Sequence, residues 1–101
     1  MTACYVVAHF RIDDPETYRR YEKGFFPILK AHGGNFLTYD DSAIVLEGDP
    51  PEGRRVIFQF PSAEAAKGWF DSQEYQELSV HRRAGTEMHS LVLVHGLEPR
   101  P

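Results

Sequence analysis

Cys4-Tyr5-Val6-Val7-Ala8-His9-Phe10-Arg11-Ile12, followed at once by Asp13-Asp14-Pro15, is the stretch whose reading decides the fold. Cys4, Val6, Ala8, Phe10 and Ile12 share one side of an extended chain, and Tyr5, Val7, His9 and Arg11 share the other. The first side is wholly apolar and calls for helices against it. Either aspartate can accept from the free amides of a first helical turn, and Pro15 suits the first helical position. Beyond it Tyr18, Tyr21, Phe25, Ile28 and Leu29 recur at helical spacing and predict a buried stripe. Gly24 and Pro27 interrupt that stripe, so a kink or a break is expected there. Gly33-Gly34 closes the helix, because glycine takes the left-handed cap conformation readily.

Outward from this unit the pattern continues. Asn35–Tyr39 and Ala43–Gly48 read as short strand-like runs about Asp40-Asp41-Ser42, a hairpin or a bent strand. Asp49-Pro50-Pro51-Glu52-Gly53 is a loop. Arg54–Phe60 is a further strand, with Val56, Phe58 and Phe60 on one side and Arg55, Ile57 and Gln59 on the other. Ser62 has N-cap chemistry and Glu64 suits a helix N-terminus, while Ala65, Ala66, Trp69 and Phe70 form an apolar face. A second helical segment is predicted from near Ser72 to about Ala84, then a strand at Met88–His95 and a loose tail at 96–101.

The order β-α-β-β-α-β is the split βαβ pattern: an α+β, ferredoxin-like domain spanning residues 1–101, with a four-stranded antiparallel sheet and helices on one face. The bare face carries Tyr5, Val7 and Ile57, too apolar to leave in water. Pairing two such faces across a two-fold axis would cover them, so the chain itself is the expected partner.

With 101 residues the chain fits one domain, and its 42% hydrophobic content is ordinary. A net charge of -4 leaves no basic field for a phosphate backbone, so no nucleic-acid partner is expected. No run approaches a membrane span, and His9 and Arg11 interrupt the N-terminal apolar stretch that a secretory signal would need. The lone Cys4 allows no internal disulfide and reads as a small buried hydrophobe. A cytoplasmic setting follows as the expectation.

Phe60-Pro61-Ser62, Ala65-Ala66, Trp69, Ser72, Glu74-Tyr75-Gln76 and Arg82 together resemble the central signature of the domain of unknown function 1330 family. Tyr18, Tyr21, Gly33-Gly34 and Glu47-Gly48 stand where that family also has them, so the resemblance spans nearly the whole chain. It departs at Gln73, where proline is usual, and in carrying His81-Arg82-Arg83. The resemblance implies a dimeric α/β barrel, two ferredoxin-like sheets facing each other about a cavity. The wider superfamily includes cofactor-free monooxygenases, small isomerases, haem-binding peroxidases and stress-related proteins, so the fold alone does not fix an activity.

Residues that could carry chemistry are few. None of His9, His32, His81, His89 and His95 forms a local metal-ligand spacing, and no metal site is assigned. His9 and either His89 or His95 would be neighbours if the first and last strands pair; two imidazoles there could bind a metal or relay a proton, or simply be hydrogen-bonded. No histidine has a proximal-haem context, and no cofactor is expected. Glu47 and Arg82, if they met at a cavity mouth, could orient a carbonyl or carboxylate, since arginine offers a planar donor fork; equally, they could pair with each other. Trp69 and Tyr75, with Tyr5 and Tyr21, are candidate pocket walls, although aromatics at helical spacing also serve as plain core.

Two functions fit these residues. One is a small-molecule cavity protein, monooxygenase- or isomerase-like and free of cofactor, acting on a small aromatic or carbonyl compound with His9, Glu47 and Arg82 as the catalytic candidates. The other is a non-catalytic structural or regulatory homodimer whose polar groups satisfy one another.

Overall fold

A computed structural model of the chain describes residues 2–98. The elements run β1 (Cys4–Ile12), α1 (Pro15–Ala31), β2 (Asn35–Asp40), β3 (Arg54–Phe60), α2 (Ala63–Asp71), α3 (Gln73–Gly85) and β4 (Thr86–His95). They build one four-stranded sheet in the order β2-β3-β1-β4, every neighbouring pair antiparallel. This is the ferredoxin-like α+β arrangement.

The alternation of β1 fixes which side the helices cover. Cys4, Val6, Ala8 and Phe10 are buried with Val56, Phe58 and Phe60 of β3. Against them lie Tyr18, Tyr21, Phe25 and Leu29 of α1, Ala66 and Trp69 of α2, and Tyr75 of α3. Tyr5, Val7, His9 and Ile57 alternate onto the other face and are only half-buried. There Val7 stands between Ile57 and Val92, and Tyr5 between Gln59 and Val94.

Caps set the helix limits. The Asp14 side chain accepts from the Thr17 amide, and Ser62 accepts from that of Ala65. Helix α1 ends as its glycines require: Gly33 adopts φ 80°, and the Gly34 amide donates to the Leu29 carbonyl at 2.9 Å. Of the kink or break expected at Gly24 and Pro27, the break does not occur, for α1 is continuous from Pro15 to Ala31. Pro27 and Lys23 are both exposed, so water can partner the carbonyl that loses its helical donor. Gly24 has a packing role instead: a Cβ there would meet Leu78 Cδ1 at 2.7 Å, so its absence lets α3 close on α1.

Two further expectations change. Residues 43–48 form no strand, because β3 already has β2 on one edge and β1 on the other. The run lies in the loop 41–53 with Ile44 and Leu46 almost fully exposed. The tail is tethered at its start, the Gly96 amide donating to the Ala3 carbonyl at 2.8 Å; residues 99–101 lie outside the described residues. Among the described residues no helix is long and apolar enough to cross a membrane.

Candidate functional site

The helices do not close completely on the sheet. Between them is a cavity with about 60 Å³ open to the centre of a water molecule. Ala8, Phe10, Val56 and Phe58 form its floor; Met88 and Leu91 of β4 form one wall. Tyr18, Tyr21, Phe25, Trp69, Tyr75 and Arg82 overhang it, and the exposed Glu22 and Phe26 mark where it meets solvent.

The overhang is built by two helix junctions. Ser72 ends α2 and begins α3: its Oγ donates to the Trp69 carbonyl at 2.8 Å and accepts from the Tyr75 amide at 3.2 Å. The tight junction brings Trp69 and Tyr75 to a ring separation of 4.0 Å. Packing of α1 on α3 then sets the Tyr21 hydroxyl 2.9 Å from that of Tyr75. Burial, reinforced by the Tyr75 hydroxyl, holds the Tyr21 phenol well above its ordinary range, so it stays protonated.

Arg82 completes the site from α3, on the stripe that also buries Tyr75 and Ser79. It is only 5% exposed, and its guanidinium carbon stands 5.9 Å from the centre of the Tyr21 ring. Its Nε is buried without a hydrogen-bond partner, as is the indole nitrogen of Trp69. At the rim Glu22 lies 3.5 Å from Arg54, which is held more closely by Asp41 at 2.7 Å and stacks 4.6 Å over Tyr39.

The structure thus gathers four sequence candidates, Tyr21, Trp69, Tyr75 and Arg82, and leaves three elsewhere. Tyr5 and His9 cannot face this cavity, because they alternate onto the opposite side of β1. His9 lies against His89 with ring centroids 4.8 Å apart. Burial, with Arg55 and His89 nearby, lowers its pKa, while the Pro51 carbonyl opposes the shift. Glu47 lies in the exposed loop, and no hydrogen bond or ion pair joins it to Arg82. The expected cavity between two sheets is therefore not where Arg82 points; the buried face of α3 looks onto its own sheet. Among the described residues no group of three or more His, Cys, Asp or Glu side chains could hold a metal ion. Tyr18 and Glu22 join the cavity lining beyond the sequence candidates. Helical spacing signals Tyr18, three positions before Tyr21, but not Glu22, which as the next residue lies about 100° round the helix.

The sequence pattern of the family described as "Domain of unknown function (DUF1330)" matches residues 3–97. The chain belongs to the DUF1330 family. No curated protein matches it. Among solved structures it is similar to a protein of unknown function from Rhodopseudomonas palustris, with a TM-score of 0.81, 21% identity, and 97% of this chain and 85% of that one covered. It is also similar to SnoaB, a cofactor-independent oxygenase from Streptomyces nogalater, at TM-score 0.59 and 13% identity, covering 100% and 99% of the two chains. A dimeric ferredoxin-like protein of unknown function from Thermobifida fusca gives TM-score 0.56 at 12% identity over 93% and 89%. At these identities the likenesses show that the DUF1330 chain shares a fold with all three.

Proposed function

We propose that this chain is a small-molecule cavity protein whose site is the space between its own sheet and helices. It acts there on a small aromatic or carbonyl compound without a bound cofactor. The observation that carries the reading is the convergence of Tyr21, Trp69, Tyr75 and Arg82 on one apolar cavity. Apolar walls with a few convergent polar groups are what a ligand site needs. Arg82 orients the ligand's oxygen, the Tyr21–Tyr75 pair contributes a hydroxyl proton, and the rings hold its apolar part. His9 and Glu47 have no place in this chemistry, since neither reaches the cavity. The similarity to a cofactor-independent oxygenase supports an oxygenase-like reaction over an isomerase-like one. The site works within a homodimer formed through the open sheet face, by analogy with the dimeric T. fusca protein. A cytoplasmic setting belongs to the same reading, supported by the buried free thiol of Cys4. The modest cavity volume favours the second reading, a dimer that catalyses nothing.

Trp69 is the only tryptophan, so its fluorescence and its indole N–H resonance report on the cavity without labelling elsewhere. Small aromatic and carbonyl compounds are titrated while both signals are followed. Those that bind are then tested for oxygen uptake and for exchange of carbon-bound protons in D2O, with no metal or cofactor added. Saturable movement of Trp69 with oxygen uptake supports the oxygenase-like reading. Binding without turnover leaves a binder, and an unmoved Trp69 throughout sinks the cavity reading.

A further inference from the structure

We propose that the cavity is a receptor for a short organic carboxylate, held by the buried guanidinium of Arg82. The inference rests on the cavity reading and supplies its ligand class. Arg82 is only 5% exposed, its Nε is buried without an acceptor, and among the described residues no ion pair holds its guanidinium. A buried cation normally has a carboxylate opposite it, because the desolvation cost otherwise goes uncompensated. Among the described residues the Tyr21 ring face at 5.9 Å is its one cation–π contact, and such a contact offsets a small part of that cost.

The other polar groups overhanging the cavity point the same way. The Trp69 indole N–H has no acceptor among the described residues. Of the two phenols 2.9 Å apart, one donates to the other, leaving one O–H proton free. Three kinds of donor therefore converge where the protein supplies almost no acceptor, and an anionic oxygen pair is the complementary ligand. One acidic group weighs against this. Glu22 stands at the mouth, but its side chain is half exposed and Arg54 lies 3.5 Å away, so solvent and that pairing screen it. Arg82 is the less screened of the two charges.

Shape decides between a ring and a short chain. The cavity of about 60 Å³ is well below the roughly 150 Å³ at which an engineered apolar cavity admits benzene. Butyrate has as many heavy atoms as benzene, but its flexible chain can bend along the cleft toward the mouth at Glu22 and Phe26, as a rigid ring cannot.

The test uses butyrate against butyramide, which match in shape and differ in charge, with benzoate and benzamide as the ring pair, at constant ionic strength. Trp69 fluorescence and its indole resonance report binding. Butyrate is expected to bind about tenfold or more tighter than butyramide, the order of a charge-assisted bond, and tighter than benzoate. Arg82→Met should remove that preference, weakening butyrate far more than butyramide; Arg82→Lys should retain part of it. If the amides bind as well as the acids, the cavity reading stands and the carboxylate inference falls. Benzoate binding above butyrate overturns the shape argument. Failure of all four probes to move Trp69 overturns this inference; only an unmoved Trp69 across the wider panel overturns the cavity reading too.

Discussion

Tyr18 shows how far one side chain can be read. Its place in the helical stripe was legible from spacing, and it is buried as expected. Its electrostatics were not, because Arg54 reaches it only through the pairing of distant elements. Burial pushes its phenol up to about 12, with Arg54 opposing the shift and Glu22 adding to it. The unfolded chain should lose that proton near 10, so stability is fully present below pH 10 and is lost as the pH rises toward 12. The two-unit gap corresponds to about 2–3 kcal/mol at most. Urea unfolding followed between pH 9 and 12 should show the decline, and Tyr18→Phe should make it shallower by a comparable amount. An unchanged slope in the variant would assign the decline to other groups. Arg82 makes the opposite point about legibility. Its spacing from Tyr75 was visible, but not the face onto which it turns. A buried helical stripe faces the sheet that the helix covers, and that consideration was enough to move it out of a cavity between sheets.

At the scale of elements, the caps carried most of the legible information. Asp14, Ser62 and Gly33-Gly34 each end or begin a helix where their chemistry requires. The run Ala43–Gly48 misled because Ile44-Val45-Leu46 has strand-forming side chains, and a strand exists only where an edge is free to pair. The Ser72 junction links local chemistry to the site. Its hydroxyl both receives the Tyr75 amide and donates to the Trp69 carbonyl, so it joins the two helices that overhang the cavity. Ser72→Ala removes both bonds and should cost about 1–2 kcal/mol in chemical denaturation. Ser72→Asp keeps the cap acceptor but cannot donate to Trp69, and should fall between the two. The alanine variant should also broaden the Trp69 indole resonance. If Ser72→Asp equals wild type in both measurements, the link to the Trp69 carbonyl has no structural weight.

The whole molecule carries helices on one face of its sheet, and on the other only the loop residues Pro51 and Glu52, which meet His9 and His89 at one end. Four strands about 4.8 Å apart and some seven residues long present on the order of 500 Å² in plan. Side-chain relief brings that toward the roughly 800 Å² per partner of a standard interface. Val7 stands at its centre, with Ile57 and Val92 beside it and Tyr5 and Val94 one pair along, while Arg55, His9 and Gln59 lie among them. In a two-fold pairing each of these meets its own copy or a close neighbour, so an acidic side chain at the centre would face its like across a dry interface. Val7→Asp is therefore expected to halve the solution mass from twice the 11.6 kDa of one chain, as read by sedimentation at micromolar concentration. Val80→Asp places the same charge on an exposed helix position and should leave the mass unchanged. The helix-side cavity belongs to one chain alone, so Trp69 in a folded Val7→Asp monomer should still respond to butyrate. A wild-type chain that sediments as a monomer would refute the pairing, and a Val7→Asp variant that remains dimeric would move the interface off this face.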